Sequence, residues 1–151
     1  MIEILIAIFI FGVALSATSY ILNSNLRNAS SIRNNFVASG LAQEGLEVIR
    51  NLRDREWFLG NPFAQVPDGT YRVQWNSPLL IVLAGNPNLK KDSTTGIFSY
   101  DSGTDTVFKR TVDIITVVSN VEVRAIVNIT WVESGGVAQS LSAEEHLYNW
   151  K

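Results

Sequence analysis

The first 61 residues of the chain contain no proline, and the first 22 contain a single charged side chain, Glu3. A stretch of about 20 apolar residues is long enough to cross the hydrocarbon core of a bilayer as a helix, at about 1.5 Å per residue. The sequence therefore predicts that residues 1–25 form a transmembrane helical segment that is apolar on all sides.

Two simpler interpretations of this segment remain open. A cleaved secretory signal needs a basic start, and no Lys or Arg precedes Arg27, although Ala14-Leu15-Ser16 has the small residues of a cleavage site. A plain signal anchor explains the apolar run but not Glu3, because an acidic side chain at the centre of a membrane costs about 3 kcal/mol. Its position near the end of the run lowers this cost. A charge in such a segment indicates a function, so Glu3 is the first candidate site residue.

The helical pattern continues beyond the membrane segment. Through residues 26–57, apolar side chains recur at three- and four-residue steps and polar ones fill the other faces, which is the period of a helix with one buried stripe. The stripe consists of Leu26, Ala29, Ile32, Phe36, Val37, Leu41, Val48, Ile49 and Leu52. Gly40 and Gly45, on or beside the stripe, permit close approach of another backbone but weaken the helix by about 1 kcal/mol each. We predict one continuous helix from residue 1 to about 55, with its weakest helix formers in 12–25.

From Asn61 the pattern changes to turns and short strands. The segments Asn61-Pro62, Pro67-Asp68-Gly69 and Gly85-Asn86-Pro87 are turn signals. Between them, residues 70–75 alternate, and the apolar run 79–84 fits a buried strand or an apolar loop. Residues 85–105 are polar and rich in turn formers, which predicts an exposed loop.

Stronger strand signals occupy the last third of the chain. Residues 106–118 lead through a Ser119-Asn120 turn into 121–133, and 139–150 form a third candidate strand. One face of the second strand carries Val121, Val123, Ala125, Val127, Ile129 and Trp131. An antiparallel sheet with one apolar face needs a cover. We therefore predict an α+β fold in which the amphipathic helix 26–57 packs on the sheet of a head, 58–151, as one globular unit.

Composition excludes several functions. The net charge is −2, with 12 basic and 14 acidic residues, so no basic excess attracts nucleic acid. The absence of cysteine excludes disulfides, thiolate chemistry and cysteine-ligated zinc. His146 is the only histidine and is interpreted as a solvated strand residue, and Asp92, Asp101 and Asp105 lack the spacing of an EF-hand. We predict no catalytic residue, metal site or cofactor, and a protein that is not an enzyme.

The opening residues IEILIAIFIFG resemble the start of the bacterial type IV pilin and pseudopilin family. Mature members carry a glutamate after a hydrophobic residue, followed by an apolar run; Ile2-Glu3 matches this pattern and Met1 fits the preceding position. The family places an aromatic residue and a Ser or Thr ahead of this point, preceded by a basic leader. The similarity continues in 41–54, Phe108-Lys109-Arg110, 121–131 and 147–150. The family's proline near the membrane exit and its frequent C-terminal disulfide have no counterpart here.

The resemblance implies a structural subunit of a type IV pilus filament for adhesion or motility. It implies a single-pass protein of the cytoplasmic membrane, head outside, that becomes part of an extracellular filament. The implied partners are copies of the chain in a helical homopolymer, the inner-membrane pilus assembly machinery and prepilin peptidase. Glu3 is expected to neutralise the N-terminal amine of a neighbouring subunit. The residues expected in the filament core are Ile2, Ile4, Leu5, Ile8, Phe9 and Phe11.

Two other functions remain open at this point. One is a minor pilin or a pseudopilin of a type II secretion or DNA-uptake machine. The other is a monomeric, single-pass membrane-anchored binding module, which has no need of an unbroken helix of about 55 residues.

Overall fold

The computed structural model of the chain describes residues 1–61 and 67–149. A single helix, α1 (Ile2–Phe58), precedes a series of antiparallel strands. The strands are β1 (Gly69–Arg72), β2 (Ile81–Val82), β3 (Lys90–Lys91), β4 (Phe98–Ser99), β5 (Thr104–Asp105), β6 (Lys109–Val118), β7 (Glu122–Val132) and β8 (Ala138–Tyr148). This arrangement confirms the predicted α+β fold class. Pro62 of the first turn signal and Trp150 at the end of the third candidate strand lie outside the described residues.

Helix α1 is continuous, as the absence of proline predicts, and it ends three residues later than expected. Glu3 in the first turn and Arg55 in the last both suit the helix dipole. The end is set by Gly60, which has a φ of 78°. Its amide donates to the carbonyl of Trp57, and the amide of Asn61 donates to that of Glu56. This pair of bonds is the Schellman motif, which favours glycine because the position requires a left-handed conformation.

The principal sheet has five strands in the order β2-β1-β6-β7-β8. Its three long strands pair antiparallel in chain order, with Val127 of β7 opposite Val112 of β6 and Ala143 of β8. The predicted pairing of the last three strands is therefore confirmed. Of the two alternatives for 79–84, the buried strand is wrong: Ile81 and Val82 form the short edge strand β2 and are exposed, and the rest of the run lies outside any strand.

Residues 85–105 are more ordered than the predicted exposed loop. Strands β3, β4 and β5 form a second, three-stranded sheet in the order β4-β3-β5. Leu89, just before β3, is fully buried. Its amide donates to the carbonyl of Phe108 at 2.8 Å, and its own carbonyl accepts from the amide of Thr106 at 2.9 Å. These bonds hold Leu89 against the residues that precede β6. The polar composition of 85–105 does not reveal them.

The hydrophobic core lies between the sheet and the C-terminal part of α1. Two compact units divide the chain, Met1–Phe36 and Val37–Lys151, and this core belongs to the second. The buried helix residues are Ala38, Leu41, Ala42, Gly45, Val48 and Ile49. The buried face of β7 carries Val123, Ala125, Val127, Ile129 and Trp131, as predicted. The predicted face is wrong only at Val121, which precedes β7 and is half exposed.

The predicted helix stripe is also only partly correct. Its members Leu41, Val48 and Ile49 are buried in the core. All four members that precede Val37 are exposed instead: Leu26, Ala29, Ile32 and Phe36. The periodicity identified a continuous apolar face, but only its C-terminal part belongs to the core of the second unit.

A buried arginine connects α1 to the sheet. Arg110 of β6 is fully buried. Its guanidinium donates to the carbonyls of Leu41 on the helix at 3.0 Å and of Val73 at 2.7 Å, and it forms an ion pair with Glu44 at 3.0 Å. A buried cation is stable only when it is paired and hydrogen-bonded in this way.

The two glycines of the predicted stripe provide a matched pair of stability tests. A Cβ at Gly45 would lie 2.8 Å from Cγ1 and 3.1 Å from Cγ2 of Val127, whereas a Cβ at Gly40 meets nothing within 4 Å. We expect Gly45→Ala to destabilise the second unit by about 1–3 kcal/mol through overpacking. Gly40→Ala should instead stabilise it, by up to about 1 kcal/mol, because alanine favours the helix.

Both variants can be measured in the full-length chain in detergent micelles, by denaturant unfolding followed through tryptophan fluorescence. Changes of the same sign at the two positions would contradict the close approach of α1 and β7 at Gly45.

Candidate functional site

The apolar side chains at the start of α1 are exposed. The six residues expected in a filament core, Ile2, Ile4, Leu5, Ile8, Phe9 and Phe11, are each 64–72% exposed. Helical geometry groups them: Ile4, Ile8 and Phe11 share one face, and Ile2, Leu5 and Phe9 share another. Apart from Glu3, the surrounding positions are apolar and exposed as well, so the segment presents an apolar surface on every side.

The apolar part of α1 is compatible with membrane anchoring. Over 18 residues near its N-terminus the helix has the length and composition to cross a bilayer, and none of that stretch is buried. The helix is therefore unlike the buried core helix of a soluble protein, which can have the same composition.

Polar side chains within 12–25 bond to the helix itself. Ser16 donates to the carbonyl of Gly12 at 2.9 Å, and Thr18 donates to that of Ala14 at the same distance. Asn23 donates to the carbonyl of Ser19 at 3.0 Å. These three bonds to the preceding turn lower the cost of placing Ser16, Thr18 and Asn23 in an apolar environment. The helix is uninterrupted through this weak stretch.

Glu3 lies on the face that carries Ile6 and Ile10, apart from the two groups above. It is exposed. Within residues 1–61 and 67–149, no hydrogen bond or ion pair engages its carboxylate. The arrangement presents one carboxylate on an otherwise apolar surface, available to a cation supplied from outside the chain.

The apolar surface extends beyond the part that resembles a membrane helix. Leu26, Ile32 and Phe36 are 69%, 71% and 82% exposed. Their helical positions fall within about 120° of one another, so they form one stripe, which we call the distal stripe. The sequence contained these residues, but the helical period by itself assigned them to the domain core.

Among the described residues, no cluster of three or more His, Asp or Glu side chains is arranged to hold a metal ion. Asp92 instead accepts hydrogen bonds from the backbone amides of Thr94 and Thr95 in a local turn. These bonds lower the pKa of the Asp92 carboxyl group, and the bond from Thr95 has the larger effect. Asp101 accepts a hydrogen bond from Gln74 at 2.7 Å.

His146 is exposed on β8, where the sequence placed it. The ring is not free in solvent, however, because Glu144 of β8 and Glu122 of β7 both contact it. The contact with Glu122 joins residues 24 positions apart. Only the register of β7 and β8 reveals it.

Comparison with known proteins gives no assignment: no family model, no curated protein and no solved structure matches the chain.

Proposed function

We propose that the chain is the structural subunit of a type IV pilus filament that serves adhesion or motility at the cell surface. It is held in the cytoplasmic membrane by α1 before assembly, with its head outside. It then polymerises through its N-terminal helix after processing by prepilin peptidase and with the help of the inner-membrane assembly machinery. The support is physical: an exposed apolar helix, one carboxylate on that helix, and a separately packed head.

The observation that carries the proposal is the length of the exposed apolar surface. From Ile2 to Phe36 the helix rises about 50 Å at 1.5 Å per residue. The hydrocarbon core of a bilayer is only about 30 Å thick, so a membrane covers the N-terminal apolar run but does not reach the distal stripe as well, unless the helix is strongly tilted. Packing against the helices of other copies covers both surfaces and releases water from the distal stripe.

The single carboxylate supports the same proposal. A plain membrane anchor gains nothing from Glu3, because a charge near an apolar run opposes insertion. In an assembly of helices, Glu3 has a role if it pairs with a cation of a neighbouring copy, such as an N-terminal amine. The pairing explains a charge that the apolar surroundings otherwise disfavour.

The division into two units suits a filament subunit. The Met1–Phe36 unit is apolar and exposed, whereas Val37–Lys151 has its own core and a five-stranded sheet. A Val37–Lys151 unit that packs independently remains folded both in the membrane-bound subunit and in the filament. This is the property that a subunit transferred from a membrane to a polymer requires.

The distal stripe provides the test of the proposed function. We expect Phe36→Asp to reduce surface fibres sharply, because it places a charge where helices of neighbouring copies pack, while the chain stays in the membrane. Asn35→Asp is the matched control. It adds the same charge at an exposed position one residue away, rotated by about 100° around the helix axis.

Each variant is expressed in cells that lack the native chain. Sheared surface fibres and the membrane fraction are then immunoblotted for the head, and fibres are counted by immunogold electron microscopy. Head signal confined to the membrane fraction for the native chain would refute the filament and favour a monomeric binding module. Sparse labelling limited to short fibres would favour a minor pilin or pseudopilin.

A further inference from the structure

A cluster of titratable side chains lies on the face of the sheet that is turned away from α1. Nδ1 of His146 lies 2.5 Å from Oε1 of Glu122 on β7, and Nε2 lies 2.9 Å from Oε1 of Glu144 on β8. Both ring nitrogens of one histidine therefore contact carboxylates, and the two carboxylates come from different strands.

This geometry favours the doubly protonated form of the ring. A neutral imidazole has one N–H and one lone pair, whereas an ionised carboxylate only accepts hydrogen bonds. With a neutral ring, one of the two contacts would place a lone pair against a carboxylate oxygen. Both contacts are favourable only when each ring nitrogen carries a proton. In accordance with this, hydrogen bonding to Glu122 and, to a smaller extent, to Glu144 raises the pKa of His146.

The charges of the side chains around His146 also favour the protonated ring. Arg124 of β7 is the register partner of His146, and its guanidinium lies 3.8 Å from Glu144. Tyr148 of β8 stacks on the imidazole and donates to Glu122 at 3.3 Å. Two glutamates, one arginine and a protonated histidine sum to zero charge, whereas a neutral histidine leaves one excess negative charge.

The other side of the strand has a separate ion pair. Glu145 lies between Glu144 and His146 in the chain, but it pairs with Arg50 of α1 at 2.9 Å. Beyond β8, the described part of the chain contributes no further strand to this sheet, so β8 is an edge strand. Its C-terminal end is held to β7 by backbone hydrogen bonds and by these side-chain contacts.

We propose that Glu122, His146 and Glu144 form a proton latch that ties the C-terminal end of the edge strand β8 to β7 when the imidazole carries both protons. Only the contact of Nδ1 with Glu122 crosses between the strands, because Glu144 lies on β8 beside His146. With the ring neutral, this contact loses its charge assistance even in the tautomer that keeps the Nδ1 proton, so the link between the strands weakens. This proposal concerns the head alone and does not depend on the proposed function.

The sign of the pH effect follows from the direction of the pKa shift. A histidine whose folded pKa is raised adds stability that is fully present below its ordinary pKa of 6.5 and is lost as the pH rises through the higher folded value. The end of β8 should therefore be best protected in mildly acidic solution and should loosen as the pH rises through the raised pKa of His146.

The experiment uses the full-length chain in detergent micelles, with histidine NMR titration and hydrogen exchange from about pH 5.5 to about pH 8.5. We expect His146 to titrate above 6.5. Protection of the amides of 144–148, relative to those of β6 and corrected for intrinsic exchange, should fall about two- to fivefold as the ring loses its proton, a range typical of exposed ion pairs.

Three variants separate the latch from a general effect of pH. His146→Gln should abolish the pH dependence of protection in 144–148 while leaving β6 protected. Glu122→Gln should lower the titration midpoint of His146 more than Glu144→Gln does, because Glu122 makes the larger contribution. A histidine that titrates at or below 6.5, or the same pH dependence in His146→Gln, would overturn the proposal.

Discussion

Replacing Glu3 with leucine is expected to abolish surface fibres while leaving the folded chain in the membrane. The exposed Glu3 side chain is surrounded by apolar residues on a continuous helix. Leucine is a good helix former, so the helix is preserved. It also makes the segment easier to insert into a bilayer, so loss of fibres cannot be attributed to failed insertion. What the variant removes is the only carboxylate in the Met1–Phe36 unit.

The size of this effect follows from burial. In a packed assembly of apolar helices the local dielectric is low, and a cation left without its carboxylate carries a large desolvation cost. A loss of several kcal/mol at every contact between copies is enough to prevent a polymer from forming. The expectation rests on the proposed function, and the partner of Glu3 is part of that proposal.

The measurement compares Glu3→Leu with Glu3→Asp in cells lacking the native chain. Membrane-bound subunit is measured by immunoblot and fibres by electron microscopy. Aspartate retains the charge on a shorter side chain, so it should retain part of the assembly. If the leucine variant produced fibres in native numbers, Glu3 would be a side chain that merely reaches the membrane interface, and its proposed role would be lost.

Replacing Arg110 with methionine is expected to cost about 3–5 kcal/mol of stability in the Val37–Lys151 unit, the usual cost of breaking a buried, hydrogen-bonded ion pair. Methionine fills much of the space of the arginine stem but donates no hydrogen bonds. The carbonyls of Leu41 and Val73 lose their contacts with the guanidinium, and the carboxylate of Glu44 loses its cation. Against a total of about 5–15 kcal/mol, such a loss unfolds a marginal head.

The chain contains a matched control on the same helix–sheet boundary. Arg50 also pairs with a glutamate across this boundary, Glu145 of β8, but its side chain is 48% exposed whereas that of Arg110 is fully buried. We expect Arg50→Met to cost less than about 1 kcal/mol, as solvent-exposed ion pairs do.

Both variants are followed by guanidinium unfolding of the full-length chain in micelles. Adding Glu44→Gln to Arg110→Met should recover part of the loss, because it removes the unpaired carboxylate. Equal losses for Arg110→Met and Arg50→Met would show that burial of Arg110 contributes nothing to holding α1 on the sheet.

Features that depend on neighbours in the chain were predictable from the sequence. The absence of proline through residue 61 indicated the continuous helix, since a proline inside a helix removes a hydrogen bond and clashes with the preceding turn. The alternation from Val123 to Trp131, broken only by the apolar Ile126 on the other face, identified β7 and its buried face, because successive side chains of a strand point to opposite sides. Neither inference required knowledge of what the helix or the strand contacts.

The candidate assembly surface was predictable in the same way at its N-terminal end. The apolar run and Glu3 are visible in the first residues of the sequence, and the structure finds the side chains of that run exposed. The extension of the surface to Phe36 was not predictable, since a helical stripe looks the same whether it faces a domain core or another molecule.

The remaining features were decided by contacts between distant parts of the chain. Arg110 lies 66 residues from Glu44, and neither the buried position of its guanidinium nor its two carbonyl partners leaves a local pattern in the sequence. Gly45 and Gly40 have equal helix propensity, yet only Gly45 lies against Val127. Sequence periodicity thus determined which elements form and which faces are apolar. The tertiary structure alone determined which part of each face is covered, because coverage depends on the register and packing of residues far apart in the chain.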